Sequence, residues 1–176
     1  VALSATKDVQ DAILNDTQRA KLVDIIDIRY WHYKVDGLYA PEGGKNLAPR
    51  QHARKMKVGK VTFDEAYRAV SEYRKKFPEK AVTYYAQNYP DMAWAVFMAS
   101  GSCSVVPVAD ESFLTDAAAM DMEDTGTNKY QKLVKSGIGS IIYSKSETEI
   151  PVQLSSGKYV LKYIHPASGK IETINK

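Results

Sequence analysis

Between Val23 and Tyr33 the chain reads Val-Asp-Ile-Ile-Asp-Ile-Arg-Tyr-Trp-His-Tyr, with Ile26 and Ile28 in one phase and Asp27, Arg29 and Trp31 in the other. A period of two predicts a strand with an apolar face toward helices and a charged face of the kind that lines a barrel interior. The run then enters a loop, Lys34 to Leu47, that holds three glycines and a proline. Strand tips that feed long loops are where α/β folds tend to keep their chemistry.

Upstream, Val1 to Ser4 reads as a strand end, and Thr6 is placed to cap a helix carrying Val9, Ala12 and Ile13 on one face. Asp8 and Asp11 lie near its positive end, and a short helical piece spans Thr17 to Leu22. Downstream, Pro49 suits the first turn of a helix through Met56. Thr62 and Glu65 form a capping box, followed by Ala66, Val70, Tyr73 and Phe77 at helical spacing until Pro78. Ala81 to Ala86 reads as a third strand, and Asp91 to Ser100 as an apolar helix ending at Gly101. Strands alternating with helices predict βαβ units and a parallel sheet. Three such strands cannot complete a barrel or a doubly wound sheet, so the missing strands are expected from the same polypeptide or from another chain.

From about Ser102 the pattern changes to period two with turn residues between runs, as in an antiparallel sheet. The expected strands are Ser102 to Val106, Gly139 to Ser144, Glu149 to Leu154, Lys158 to His165 and Lys170 to Ile174. Turns are expected at Ser155-Ser156-Gly157 and Pro166-Ala167-Ser168-Gly169. Asp110 to Asn128 reads as loop with a little helix, and the domain boundary falls near residue 101.

Composition narrows the classes. The 176 residues, 44% hydrophobic and 26% charged, fit one globular domain or two small ones. A net charge of +3 gives no general pull toward nucleic acid or a membrane, and neither is expected as a partner. No apolar run reaches the roughly 18 residues of a spanning helix. The single cysteine, Cys103, rules out an intramolecular disulfide and reads as buried packing within a strand. The chain opens on Val1 in place of methionine, which is compatible with a removed leader.

Asp27 is the carboxylate on the inward phase of the central strand, with Arg29 beside it, so catalysis by Asp27 competes with a structural ion pair. Glu42 and Asp36 are loop carboxylates able to reach over a substrate. Tyr30, Trp31, Tyr33 and Tyr39 offer rings for stacking on sugars, or else anchor the loop. His32 titrates near neutrality and could serve as acid, base or hydrogen-bond donor. Thr83, Tyr85 and Gln87 share a phase on the third strand, with Asn88 and Tyr89 beyond it, and suit hydroxyl recognition. His32 and His52 lack a metal-ligand spacing, and neither metal nor cofactor is expected. The basic stretch Arg50, Arg54, Lys55, Lys57 and Lys60 reads first as a solvated helix face and next as a contact for acidic glycans. Gly43-Gly44-Lys45 follows no strand-to-helix junction and is weak as a phosphate loop.

Several segments carry a family likeness: Ala2 to Asp11, Asp24 to Tyr33, Arg50 to Arg54, Trp94 to Gly101, Gly157 to Tyr163, and His165 to Gly169. Together they resemble the C-terminal part of bacterial glycoside hydrolases of the gut Bacteroidota type, in which a (β/α)8 barrel precedes a small C-terminal β-sandwich. His165 stands where that family's turn usually has aspartate. The resemblance implies an α/β fold, with residues 1–101 forming the last strands of a (β/α)8 barrel and 102–176 an antiparallel β-sandwich. It further implies a secreted or periplasmic hydrolase of plant or host glycans, with an oligosaccharide or polysaccharide as ligand. The acid/base of related retaining enzymes, which follows the fourth strand, would lie outside this chain. A glycan-binding or scaffold protein without catalysis is the alternative. An interaction domain whose open sheet edge pairs with a partner is the third reading.

Overall fold

A computed structural model of the chain describes residues 1–39, 61–85, 90–146, 149–154 and 156–174. These form two units, Val1–Val105 and Val106–Lys176. In chain order the first unit contains β1 (Ala2–Leu3), α1 (Lys7–Asn15), α2 (Thr17–Ala20), β2 (Ile25–Ile28), β3 (His32–Lys34), β4 (Gly37–Tyr39), α3 (Phe63–Lys76), β5 (Ala81–Tyr84) and α4 (Pro90–Met98).

β1, β2 and β5 form a parallel sheet in the order β1-β2-β5. Its register sets Leu3 against Ile26 and Asp27 against Thr83. Ile26, Ile28 and Val82 are buried with residues of α3 and α4, including Ala66, Val70, Tyr73 and Trp94. α3 begins where the capping box requires it: Thr62 Oγ1 accepts from the Glu65 N–H, and Glu65 Oε2 accepts from the Thr62 N–H at 2.7 Å. α4 stops at a tight C-terminal turn in which the Gly101 N–H donates to the Val96 carbonyl at 2.8 Å. A Cβ at residue 101 would lie 2.5 Å from a Val96 methyl and 2.9 Å from a Val70 methyl, so only glycine fits there.

Two local expectations change in this unit. α1 buries Lys7, Gln10 and Leu14, and Val9 is exposed, because the inward face is satisfied by hydrogen bonds instead of apolar contacts. β2 ends at Ile28, so the alternation does not carry on to Trp31. Part of the expected long loop is a hairpin, β3 with β4, turning at Val35 and Asp36.

The second unit contains α5 (Glu111–Ala118), β6 (Asp121–Glu123), β7 (Tyr130–Lys135), β8 (Gly139–Ser144), β9 (Leu161–Ile164) and β10 (Ile171–Ile174). β6, β7 and β8 form an antiparallel meander, and β9 and β10 a separate hairpin. Val108, Ala117, Met120, Leu133 and Tyr143 are its buried apolar residues. The β9–β10 turn uses Gly169 at φ +69, where an added Cβ would overlap the Pro107 carbonyl.

The barrel and the sandwich expected for this chain are both corrected by this topology. Among the described residues the parallel sheet has three strands and does not close. The Ser102–Val106 strand is absent because Cys103 takes a left-handed conformation, φ 58, that breaks the extension. Glu149–Leu154 is likewise no strand; Pro151 lacks the N–H a ladder would use. A three-stranded sheet and a two-stranded hairpin therefore stand in place of two layered sheets.

Candidate binding cleft

The parallel register brings Ser4, Asp27 and Thr83 into a row at the C-terminal ends of the three strands. Ser4 Oγ donates to Asp27 Oδ2 at 2.9 Å, and Thr83 Oγ1 donates to Oδ1 at 3.0 Å. Arg29 Nε sits 3.1 Å from Oδ2, and the guanidinium carbon lies 5.7 Å from the centroid of the Tyr85 ring. The Asp27 side chain is 14% exposed and that of Arg29 50%, so the cation faces solvent above a largely enclosed anion. Tyr85 is 40% exposed.

Asp27, Arg29, Thr83 and Tyr85 line a cleft of about 190 Å³ together with Tyr84, with Ala93 and Val96 of α4 and with the turn 102–105, and Ser4 reaches it only through Asp27. The Ser102 N–H donates to the Val82 carbonyl at 2.7 Å, which holds that turn alongside β5. The volume lies below the roughly 300 Å³ at which drug-sized pockets begin, so the cleft suits a small ligand or one group of a larger one. Its position at the carboxyl ends of parallel strands is the usual one for ligands in α/β sheets.

A second polar cluster in the same unit is closed. Gln10, fully buried, donates from Nε2 to the carbonyls of Leu3 at 3.0 Å and Asp27 at 2.9 Å, and its Oε1 accepts from the Trp31 indole N–H at 2.7 Å. Lys7 Nζ bonds Asp11 at 2.9 Å and Glu72 at 2.8 Å while lying about 5 Å from the rings of Trp31 and Tyr73. Burial opposes the Lys7 charge, yet its bonds to Glu72 and Asp11 hold its pKa above the ordinary lysine value. The Tyr33 hydroxyl donates to Glu72 and the Tyr73 hydroxyl to Asp11. Burial, then these hydrogen bonds to carboxylates, push both phenols up.

The structure therefore divides the expected site residues. Asp27, Arg29 and Tyr85 meet at the cleft, joined by Ser4 and the 102–105 turn. Ser4 could have been found from the sequence only by aligning β1 against β2. Trp31 is 0% exposed and packs edge-on against Tyr33 and Tyr73, so its ring offers no face to a sugar. His32 is buried in β3 outside the cleft lining, and burial lowers its pKa, with Lys34 adding to the effect against Glu65. Tyr30 is half-buried and outside the lining, and Asp36 sits exposed at the hairpin turn. Cys103 is exposed and lines the cleft, a correction to its expected place in a strand core. Glu42, Gln87, Asn88, Tyr89, the glycines 43–44 and the basic stretch Arg50 to Lys60 lie outside the described residues, as does the side chain of Tyr39. Among the described residues no group of three or more His, Cys, Asp or Glu is arranged to hold a metal ion. No described helix is long and apolar enough to cross a membrane.

Residues 1–120, more than half of the chain, match a protein family described as a domain of unknown function, DUF6298. The chain belongs to this family. The matched segment of this DUF6298 protein includes every residue of the cleft and of the closed cluster. No curated protein matches the chain. No solved structure matches it.

Proposed function

We propose that this DUF6298 chain handles plant or host glycans outside the cytoplasm, and that it holds one sugar unit in the cleft between Asp27, Arg29 and Tyr85. The observation that carries this reading is the cross-strand row Ser4–Asp27–Thr83 fixing Arg29 beside a Tyr85 ring that remains 40% exposed. Sugar recognition needs fixed polar groups for hydroxyls and an aromatic surface for the C–H face, and both are supplied at the strand tips.

Glycoside hydrolysis, which the family resemblance suggested, calls for two carboxyl groups across the scissile bond. Asp27 is the one acid in the described lining, and both of its oxygens are already engaged by Thr83, Ser4 and Arg29. Glu42 lies outside the described residues. Binding is therefore the function this geometry supports best, with hydrolysis dependent on a further carboxyl group.

Calorimetric titration with a panel of plant and host oligosaccharides tests the reading. Binding of at least one class is expected, weakened about tenfold or more (~1.4 kcal/mol) by Tyr85→Ala. Absence of binding across the panel, or binding indifferent to Tyr85→Ala, overturns it.

A further inference from the structure

We infer that the cleft selects glycans bearing an anionic substituent, a carboxylate or a sulfate ester, and that Arg29 is the residue that reads it. This inference rests on the glycan-binding reading above and names the substrate class of the same cleft.

Few polar atoms at the cleft remain for a ligand. Asp27 Oδ1 accepts from Thr83, and Oδ2 accepts from Ser4 while pairing with Arg29. A carboxylate so engaged serves the protein first. On Arg29 the position is reversed. Its ion pair is made through Nε, on one side of the guanidinium plane, and among the described residues the two Nη atoms have no partner. The side chain is half exposed, lines the cleft and lies against the Tyr85 ring. What remains is an end-on fork of N–H donors, held from one side by a carboxylate and steadied by an aromatic face.

Such a fork matches two oxygens of a planar carboxylate or of a sulfate, forming two parallel charge-assisted hydrogen bonds. A neutral sugar hydroxyl engages one N–H of that pair and leaves the other to water. The surrounding groups point the same way: the hydroxyls of Thr83 in the lining and of Ser4 beside it are spent on Asp27, and Arg29 is the one cation in the described lining. The rings fit the same scheme, because a uronate or a sulfated hexose that engages the fork brings its C–H face over Tyr85.

The test uses the whole chain and two matched ligand pairs: an oligouronate with its methyl ester, and a sulfated galactan oligosaccharide with its desulfated counterpart. Binding at least tenfold tighter to the charged member of one pair is expected, and the pair that shows it identifies carboxylate or sulfate as the group read. The preference should shrink with added salt. Arg29→Gln should abolish the preference, bringing the charged ligand and its neutral partner within about twofold of each other. Arg29→Lys, which keeps the charge and loses the fork, should restore only part of the preference. Circular dichroism of each variant separates misfolding from lost recognition, and the wild-type comparison needs no variant. Equal affinity within both pairs overturns the inference and leaves the glycan-binding reading standing. Absence of binding to all four ligands overturns the inference, and the same absence across the whole oligosaccharide panel overturns the glycan-binding reading as well.

Discussion

The first unit holds two polar clusters built from neighbouring pieces of chain, one open and one shut. At the open one, Arg29 and Tyr85 meet solvent over Asp27; at the shut one, Gln10, Lys7, Trp31 and Tyr73 are buried and bonded to each other or to nearby carboxylates. Similar chemistry thus serves two ends. In the closed cluster each donor finds an acceptor within the protein, which makes it a strut. The open cluster leaves one donor edge unspent, and that edge is what a ligand can use.

Substitutions that break the strut should cost stability far more than those at the cleft. Trp31→Ala removes a fully buried indole together with the hydrogen bond it gives Gln10, and should destabilise the first unit by about 3–5 kcal/mol in urea titration. A loss under about 1 kcal/mol would mean that the ring is not core. Gln10→Leu leaves the Trp31 N–H and the carbonyls of Leu3 and Asp27 without their partner, and a loss of about 2–3 kcal/mol is expected by the same measurement.

Asp27→Ala, at the open cluster, should cost about 1–2 kcal/mol, because the Ser4 and Thr83 hydroxyls can turn toward water in the cleft. A cost equal to that of Gln10→Leu would erase the distinction between the clusters. A smaller effect concerns pH. Burial depresses the His32 pKa in the folded chain below its ordinary value near 6.5. The unfolded state therefore takes up the proton first as pH falls. The stability His32 contributes is full above that value and is lost as pH drops through the window below it. Denaturation midpoints at pH 7.5 and 5.5 should differ less in His32→Gln than in the parent chain, and an unchanged difference would show that other groups set the acid sensitivity. Least of all, Asp36→Asn at the exposed hairpin turn should change stability by no more than about 0.5 kcal/mol and leave glycan binding untouched.

Local signals carried some elements and long-range pairing decided the rest. The capping box at Thr62 and Glu65, the stop at Pro78 and the glycine after α4 are each written within a few residues, and α3 and α4 follow them. β8 and the Pro166–Gly169 turn were legible for the same reason. Half of the cleft was legible too, since Asp27 with Arg29, and Thr83 with Tyr85, share phases that the register then sets side by side. The buried face of α1 was not. Lys7 and Gln10 look like solvent residues until Glu72 and Trp31, 65 and 21 residues away, are brought against them. Trp31 leaves the phase of Asp27 and Arg29 because β2 ends at Ile28, a stop that alternation alone does not mark. β7, with lysines interleaved among its apolar positions, gave too faint a pattern to stand out. The assignment of residues 1–101 to the last strands of a barrel is overturned because three parallel strands with helices occur in many α/β sheets, and no property of three of them announces membership of a closed one.

One residue belongs to both clusters. Asp27 lends its carbonyl oxygen to Gln10 and its carboxylate to Arg29. The stretch of main chain that carries the guanidinium's anchor is thus pinned from the interior, so a change at residue 10 would reach the mouth only through the backbone of residue 27.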